Sequence, residues 1–372
     1  MNRYIFNECV YFGCDARNCL PEELRKRGFK KVFLVTDETI IKCGVSEKIT
    51  SIFDQNNIKY SVFSDIKPNP TTQNVKDGLK ALKKAKADVI VALGGGSVID
   101  TAKAIAIIKE NKEHADVLSL AGAVETKNRC FPLIAIPTTS GTAAEVTINY
   151  VITDENTKRK LVCIDPHDVP IMSIVDSELM RTMPASLTAS TGMDALTHAI
   201  ESLITKGATD MSDMFALEAI RTIAKYLERA YKNGDDLEAR EKMAYAQYVV
   251  GMGFSNVGLG IVHSMAHALG GQKDIAHGIA NAMLLSTVMK YNAESPSKPK
   301  YRLIAECFGI DCSGKTDDEC VKVAVKEVGK LAKKVGIPKS LAEVGVKEED
   351  LDVLSRDAFV DICTGGNPRQ TS

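Results

Sequence analysis

The chain has 372 residues, enough for about two domains, each with its own core. Its 47 lysines and arginines against 48 aspartates and glutamates leave a net charge of −1, which argues against a nucleic-acid or anionic-membrane partner, since both need a concentrated basic surface. With 45% hydrophobic and 26% charged residues, the composition is that of a folded globular protein and excludes a disordered one.

In chain order, apolar β-rich runs at 31–36, 58–63, 88–93, 132–136 and 171–175 alternate with helix-like stretches at 45–57, 71–87 and 97–110. Continuous apolar strands separated by helices indicate a parallel sheet covered on both faces. Beyond Pro184 the texture changes, and helical patterns follow at 191–204, 211–232, 237–252, 259–269, 278–291 and 316–335. The expected fold is an α/β Rossmann-like parallel-sheet domain over 1–182 followed by an all-α domain over 183–372. No apolar run approaches the roughly 18 residues that span a bilayer, and MNRYIFNECVYFG has no apolar signal core. Ten cysteines are dispersed from Cys9 to Cys363 without a C-x-x-C pair, so free thiols in the cytoplasm are expected.

The stretch DVIVALGGGSVIDTAKAIAII reads as a strand, a turn at Gly94, Gly95 and Gly96, and a helix with Ser97 as its N-cap. Glycines bring the backbone close to a ligand, and the N–H groups opening a helix suit a phosphate. The alternative is a tight turn without a ligand, because Ile99 replaces the third glycine of the usual dinucleotide fingerprint. Asp37 follows the first apolar strand, where a carboxylate can accept from a ribose diol and repel a 2′-phosphate, favouring NAD over NADP. It reads equally as a helix cap. Pro137–Thr142 (PTTSGT), at the end of another strand, offers small hydroxyl side chains to a polar ligand, or simply forms a turn.

Four of the six histidines fall in the helical half. Asp194 and His198 are four apart and share a helix face, as do His263 and His267, and His277 opens the next helix. A lone histidine on an apolar helix is usually a satisfied core residue, but burying all of these without a task would leave several hydrogen bonds unmet. One carboxylate and three imidazoles make an N3O set for a divalent metal, and that chemistry does not separate iron from zinc. His267, one turn after His263, is the candidate left over as a proton carrier.

The segments GGGSVID (94–100), TTSGTAAEVT (138–147), TASTGMDALTHAIE (188–201), GMGFSNVGLGIVHSMAHALGG (251–271), AHGIANAMLL (276–285) and CTGGNPR (363–369) resemble the iron-dependent (group III) alcohol dehydrogenases, along nearly the whole chain. The resemblance implies the dehydroquinate-synthase-like fold of that family, with Fe2+ or Zn2+ on Asp194, His198, His263 and His277 and with His267 beside the nicotinamide. It places NAD on Asp37, Gly94, Gly95, Gly96, Ser97, Asp100, Thr138, Thr139, Thr142, Thr147, Asn149, Lys160 and Leu179. It lines a narrow substrate pocket with Asn149, Val151, Phe254 and Cys363. The implied activity is metal-assisted hydride transfer between NAD(H) and a short-chain aldehyde such as lactaldehyde, giving its alcohol or diol (1,2-propanediol). A related butanol or 1,3-propanediol dehydrogenase stays open. So do a glycerol-dehydrogenase or synthase relative of the fold and a non-catalytic metal binder. A homodimer is implied, with 4–12 as the segment for inter-subunit strand pairing, as is a further helix beyond Ser372.

Overall fold

A computed structural model describes residues 1–371; the helix expected beyond Ser372 lies outside them. The chain divides into two compact units, one comprising Met1–Thr139 with Ala143–Thr182, the other Ser140–Thr142 with the residues from Met183 onward.

The first unit contains strands β1 (Cys9–Phe12), β2 (Lys31–Val35), β3 (Lys59–Phe63), β4 (Val89–Gly94), β5 (Gly122–Ala123), β6 (Leu133–Pro137), β7 (Asn149–Asp154), β8 (Arg159–Ile164) and β9 (Met172–Val175). Its helices are α1 (Leu20–Lys26), α2 (Glu38–Lys42), α3 (Glu47–Gln55), α4 (Thr72–Ala85) and α5 (Gly96–Glu110). Six strands form one parallel sheet in the order β1-β9-β6-β4-β2-β3. The strand in segment 4–12 is β1, and within this chain it pairs with β9. Side chains alternate between the two faces. Phe33, Val35, Ile90 and Ala92 pack beneath α4 and α5, whereas Val32, Leu34, Val89, Val91 and Leu93 pack against α1 and α3. Burial on both faces is why these strands read as unbroken apolar runs.

From β2 the chain steps to β3 on one side and then to β4 on the other. The carboxyl ends of β2 and β4 therefore flank the switch point of the sheet, where open α/β sheets bind ligands. A second, three-stranded sheet has the order β5-β8-β7, with β7 and β8 antiparallel. The apolar runs expected from the sequence do not include β7 and β8, whose short apolar stretches are flanked by polar residues and, along β7, are buried only at every second residue.

The second unit holds α6 (Ala185–Ile204), α7 (Asp210–Lys232), α8 (Leu237–Val257), α9 (Ile261–Lys273), α10 (His277–Asn292), α11 (Lys300–Cys307), α12 (Asp317–Lys334) and α13 (Leu351–Phe359). Among the described residues this unit's regular elements are all helical. α6 is buried on nearly every side, and α7, α8 and α10 pack on it. Gly258, at φ 82°, ends α8 in a conformation that favours glycine, and α9 leaves at 100° to it. No single described helix is long and apolar enough to cross a membrane; only α8 and α9 taken together reach that length and composition, across this bend. All ten cysteines are free.

Candidate metal and cofactor sites

α6 carries Asp194 and His198, α9 carries His263, and His277 is the first residue of α10. One ligand atom from each lies within 4.8 Å of all the others. Asp194, His198 and His263 are buried and His277 is partly so. Close helix approach makes this possible, for a Cβ on Gly278 would run into the Ser190 carbonyl of α6.

The donor chemistry of the cluster fits a divalent cation. Asn281 Nδ2 lies 2.7 Å from Asp194 Oδ1 and 3.1 Å from both His263 Nε2 and His277 Nε2. With both rings protonated at Nδ1, the two protons of the amide nitrogen meet three acceptors, so lone pairs outnumber donors. His198 Nδ1 is buried and meets no hydrogen-bond partner. Burial, helped by the neighbouring imidazoles, holds His263 well below the usual histidine range, and burial also lowers His198. Neutral imidazoles are the form that ligates metal.

Two carboxylates missed in the sequence reading support this cluster. Glu201 on α6 accepts from His263 Nδ1 at 2.6 Å and from the backbone N–H groups of Val262 at 2.8 Å and His263 at 3.3 Å. It thus caps α9, whose N-cap Gly260 has no side chain to do so, and turns the Nε2 lone pair of His263 toward the cluster. Burial pushes Glu201 up to about 7 against the pull of those N–H groups. Asp361 accepts from His267 Nδ1 at 2.9 Å and from the Cys363 N–H at 2.8 Å. Despite burial, the adjacent His267 holds the Asp361 carboxyl below its usual range. His267 stacks on His277 with ring centres 5.3 Å apart, and Phe254 stacks on His198 at 4.2 Å. Burial raises the Cys363 thiol well above its ordinary value. The only signal for Glu201 was its place in the same helical run as Asp194 and His198; Asp361 had none.

In the first unit, β4 ends at Gly94 and α5 begins at Gly96 with Gly95 as its N-cap. This corrects the expectation for Ser97, which sits inside the helix and donates its hydroxyl to the Pro68 carbonyl. A Cβ on Gly94 would meet Val98 at 2.5 Å, and one on Gly95 would meet Thr139 at 3.2 Å. Asp37 Oδ1 caps α2 by accepting from the Ile40 N–H at 2.9 Å. The hydroxyls of Thr36 and Thr138, just past β2 and β6, are buried without hydrogen-bond partners, at the carboxyl ends of the strands where open α/β sheets bind ligands. Asp100 accepts from the Val151 N–H at 3.0 Å, Thr147 Oγ1 donates to the Asn149 carbonyl, and Lys160 donates to Asn69 and Thr153. Leu179 is buried in the core. Thr142 belongs to the second unit, with Phe254 and Cys363, whereas Asn149 and Val151 lie on β7 of the first.

The chain resembles known proteins along its whole length. Residues 7–177 match the iron-containing alcohol dehydrogenase family, and residues 188–372 match the C-terminal part of the Fe-containing alcohol dehydrogenase family. The chain is 48% identical over 371 residues to lactaldehyde reductase of Escherichia coli (strain K12), covering 100% of this chain and 96% of that protein. It is 40% identical over 369 residues to the NAD-dependent methanol dehydrogenase of Bacillus methanolicus, covering 99% and 96%. A solved structure of 1,3-propanediol oxidoreductase superimposes with a TM-score of 0.96 at 40% identity, covering 100% of this chain and 97% of that one. With an N3O cluster in its helical unit and a glycine turn at the switch point of its sheet, the chain belongs to the iron-containing alcohol dehydrogenases, oxidoreductases that interconvert alcohols and aldehydes.

Proposed function

We propose that this enzyme interconverts lactaldehyde and 1,2-propanediol with NAD(H), and that Asp194, His198, His263 and His277 hold its iron. The observation that carries the reading is the convergence of those four donors in a setting with more lone pairs than protons. The 48% identity to lactaldehyde reductase supports the choice of aldehyde, and the NAD-dependent relative supports the cofactor.

When bound, the ion supplies Lewis acidity toward a carbonyl oxygen and NADH supplies the hydride. The side chains do the rest. Glu201 fixes the tautomer of His263, so that its Nε2 faces the cluster. His267, held through Nδ1 by Asp361, carries a proton at Nε2 toward the product alcohol. Phe254, flat against His198, narrows the space beside the ligands to short chains. In the first unit, N–H groups of the Gly94–Ser97 turn would hold the pyrophosphate of NAD(H), and the Asp37 carboxylate would accept from the ribose diol and disfavour a 2′-phosphate. Asn149 is assigned to the second oxygen of the hydroxyaldehyde. The enzyme is assigned to the cytoplasm as a homodimer.

Elemental analysis of anaerobically purified protein, followed by NADH-linked assays on lactaldehyde, glycolaldehyde and butanal, tests the reading. Iron with highest kcat/KM on lactaldehyde is expected. A preference for butanal would overturn the substrate, and full activity of metal-free protein would overturn the metal's role.

A further inference from the structure

Lys103 is a fully buried lysine on α5, two turns beyond the glycine turn, and nothing in the proposed chemistry uses it. Its ammonium donates to the Thr147 carbonyl at 2.5 Å, the Asn149 carbonyl at 3.0 Å and Thr147 Oγ1 at 3.1 Å. Asp168, also fully buried, lies 3.6 Å away. Taking a lysine out of water is costly unless its protons are all engaged, and here the partners come from one short stretch of backbone. Asp100, three residues earlier and on the same face of α5, accepts from the N–H of Val151. One helix face therefore grips the chain at three successive alternate residues, 147, 149 and 151.

At 149 and 151 those grips fall on backbone atoms only, which leaves the side chains of Asn149 and Val151 to be aimed. Along β7, Tyr150 and Ile152 are buried in the core, whereas Asn149 and Val151 are partly exposed on the opposite face. Thr147, Asn149 and Val151 are the residues assigned above to cofactor and substrate. The same α5 opens at Gly95 and Gly96, the turn assigned to the pyrophosphate.

We propose that Lys103 is a positioning residue, which with Asp100 fastens α5 to the Thr147–Val151 backbone so that the phosphate turn and the Asn149–Val151 face are held as one rigid piece. The inference rests on the cofactor reading above. It explains why a charged group is buried where an apolar one would pack as well. Loss of the ammonium leaves the Thr147 carbonyl without that donor and the Asn149 carbonyl with the Thr147 hydroxyl alone, and lets Asn149 drift relative to the glycine turn, which weakens binding of cofactor and aldehyde.

The test is the double replacement Lys103→Met with Asp168→Leu, since exchanging two buried ionisable side chains together for apolar residues of similar size leaves neither group stranded without the other. NADH dissociation is followed by cofactor fluorescence, aldehyde KM and kcat by NADH consumption, and metal content and Tm alongside. Unchanged Tm and metal with NADH Kd and aldehyde KM raised about 10–100-fold is the expected result, because displacements near 1 Å at a site cost this much. A folded variant with both constants unchanged overturns the proposal. A variant that fails to fold overturns it as well, since the pair would then serve stability alone. Wild-type protein that binds no NADH would overturn the cofactor reading itself, an outcome distinct from the other two.

Discussion

Glu201 Oε2 lies 2.6 Å from His263 Nδ1, and the same carboxylate closes the N-terminus of the helix on which His263 stands. One buried side chain therefore sets the ring's tautomer, its rotation and the start of its helix. Glu201→Gln keeps the shape but weakens the acceptor. Iron retention is expected to fall about 10–100-fold, as for other outer partners of metal-bound histidines. Metal content after dialysis against a graded chelator checks this, and retention equal to wild type would reduce Glu201 to a helix cap.

Asp361 stands to His267 as Glu201 does to His263, but His267 is assigned to proton transfer. Asp361→Asn should leave metal content intact and slow turnover by up to about 100-fold, within the range for misplaced acid–base groups. His267→Ala should do the same, and the double variant should cost little more than either alone, because the two act as one unit. Loss of metal from His267→Ala would move that histidine into the ligand set.

Asp37 caps α2 and follows β2, and charge separates the observed cap from the proposed cofactor role. Asp37→Asn retains a capping oxygen but drops the charge. The kcat/KM ratio of NADH to NADPH should fall about tenfold or more as like-charge repulsion disappears. A ratio that moves only with Asp37→Gly would show that the cap, and not the charge, governs the site.

Gly278 follows His277, and a Cβ there would meet the Ser190 carbonyl on α6. Overpacking of this kind costs about 1–3 kcal/mol. Gly278→Ala should lower Tm and, by pushing α10 and with it His277 off α6, weaken metal retention. Thermal melts with and without added Fe2+ check both effects.

Burial pushes the Asp168 carboxyl up to about 8, with the Lys103 ammonium pulling the other way. In the unfolded chain an aspartate titrates at about 3.9. Between those values the folded chain holds the extra proton, so its stability relative to the unfolded chain falls as pH rises through the window. Tm should decline from about pH 4 to about pH 8, and Asp168→Asn, which cannot ionise, should flatten that slope. An identical slope in the variant would assign the pH dependence to other groups.

The sequence by itself determined the parallel sheet, the run of helices after Pro184 and the four donors, Asp194, His198, His263 and His277, that the fold gathers. Strands such as Val89–Gly94 are apolar on both faces, so their burial is written in consecutive residues. Asp194 and His198, like His263 and His267, announce themselves because a spacing of four puts two polar groups on one helix face. Tertiary structure alone decided which polar groups meet across long stretches of chain. Glu201 reaches His263 from 62 residues away and Asp361 reaches His267 from 94, and no local pattern encodes either meeting. Lys103 was illegible for a related reason. In sequence it is an ordinary helix lysine, and only the packing of α5 under Thr147–Asn149 supplies carbonyls enough to keep its charge out of water.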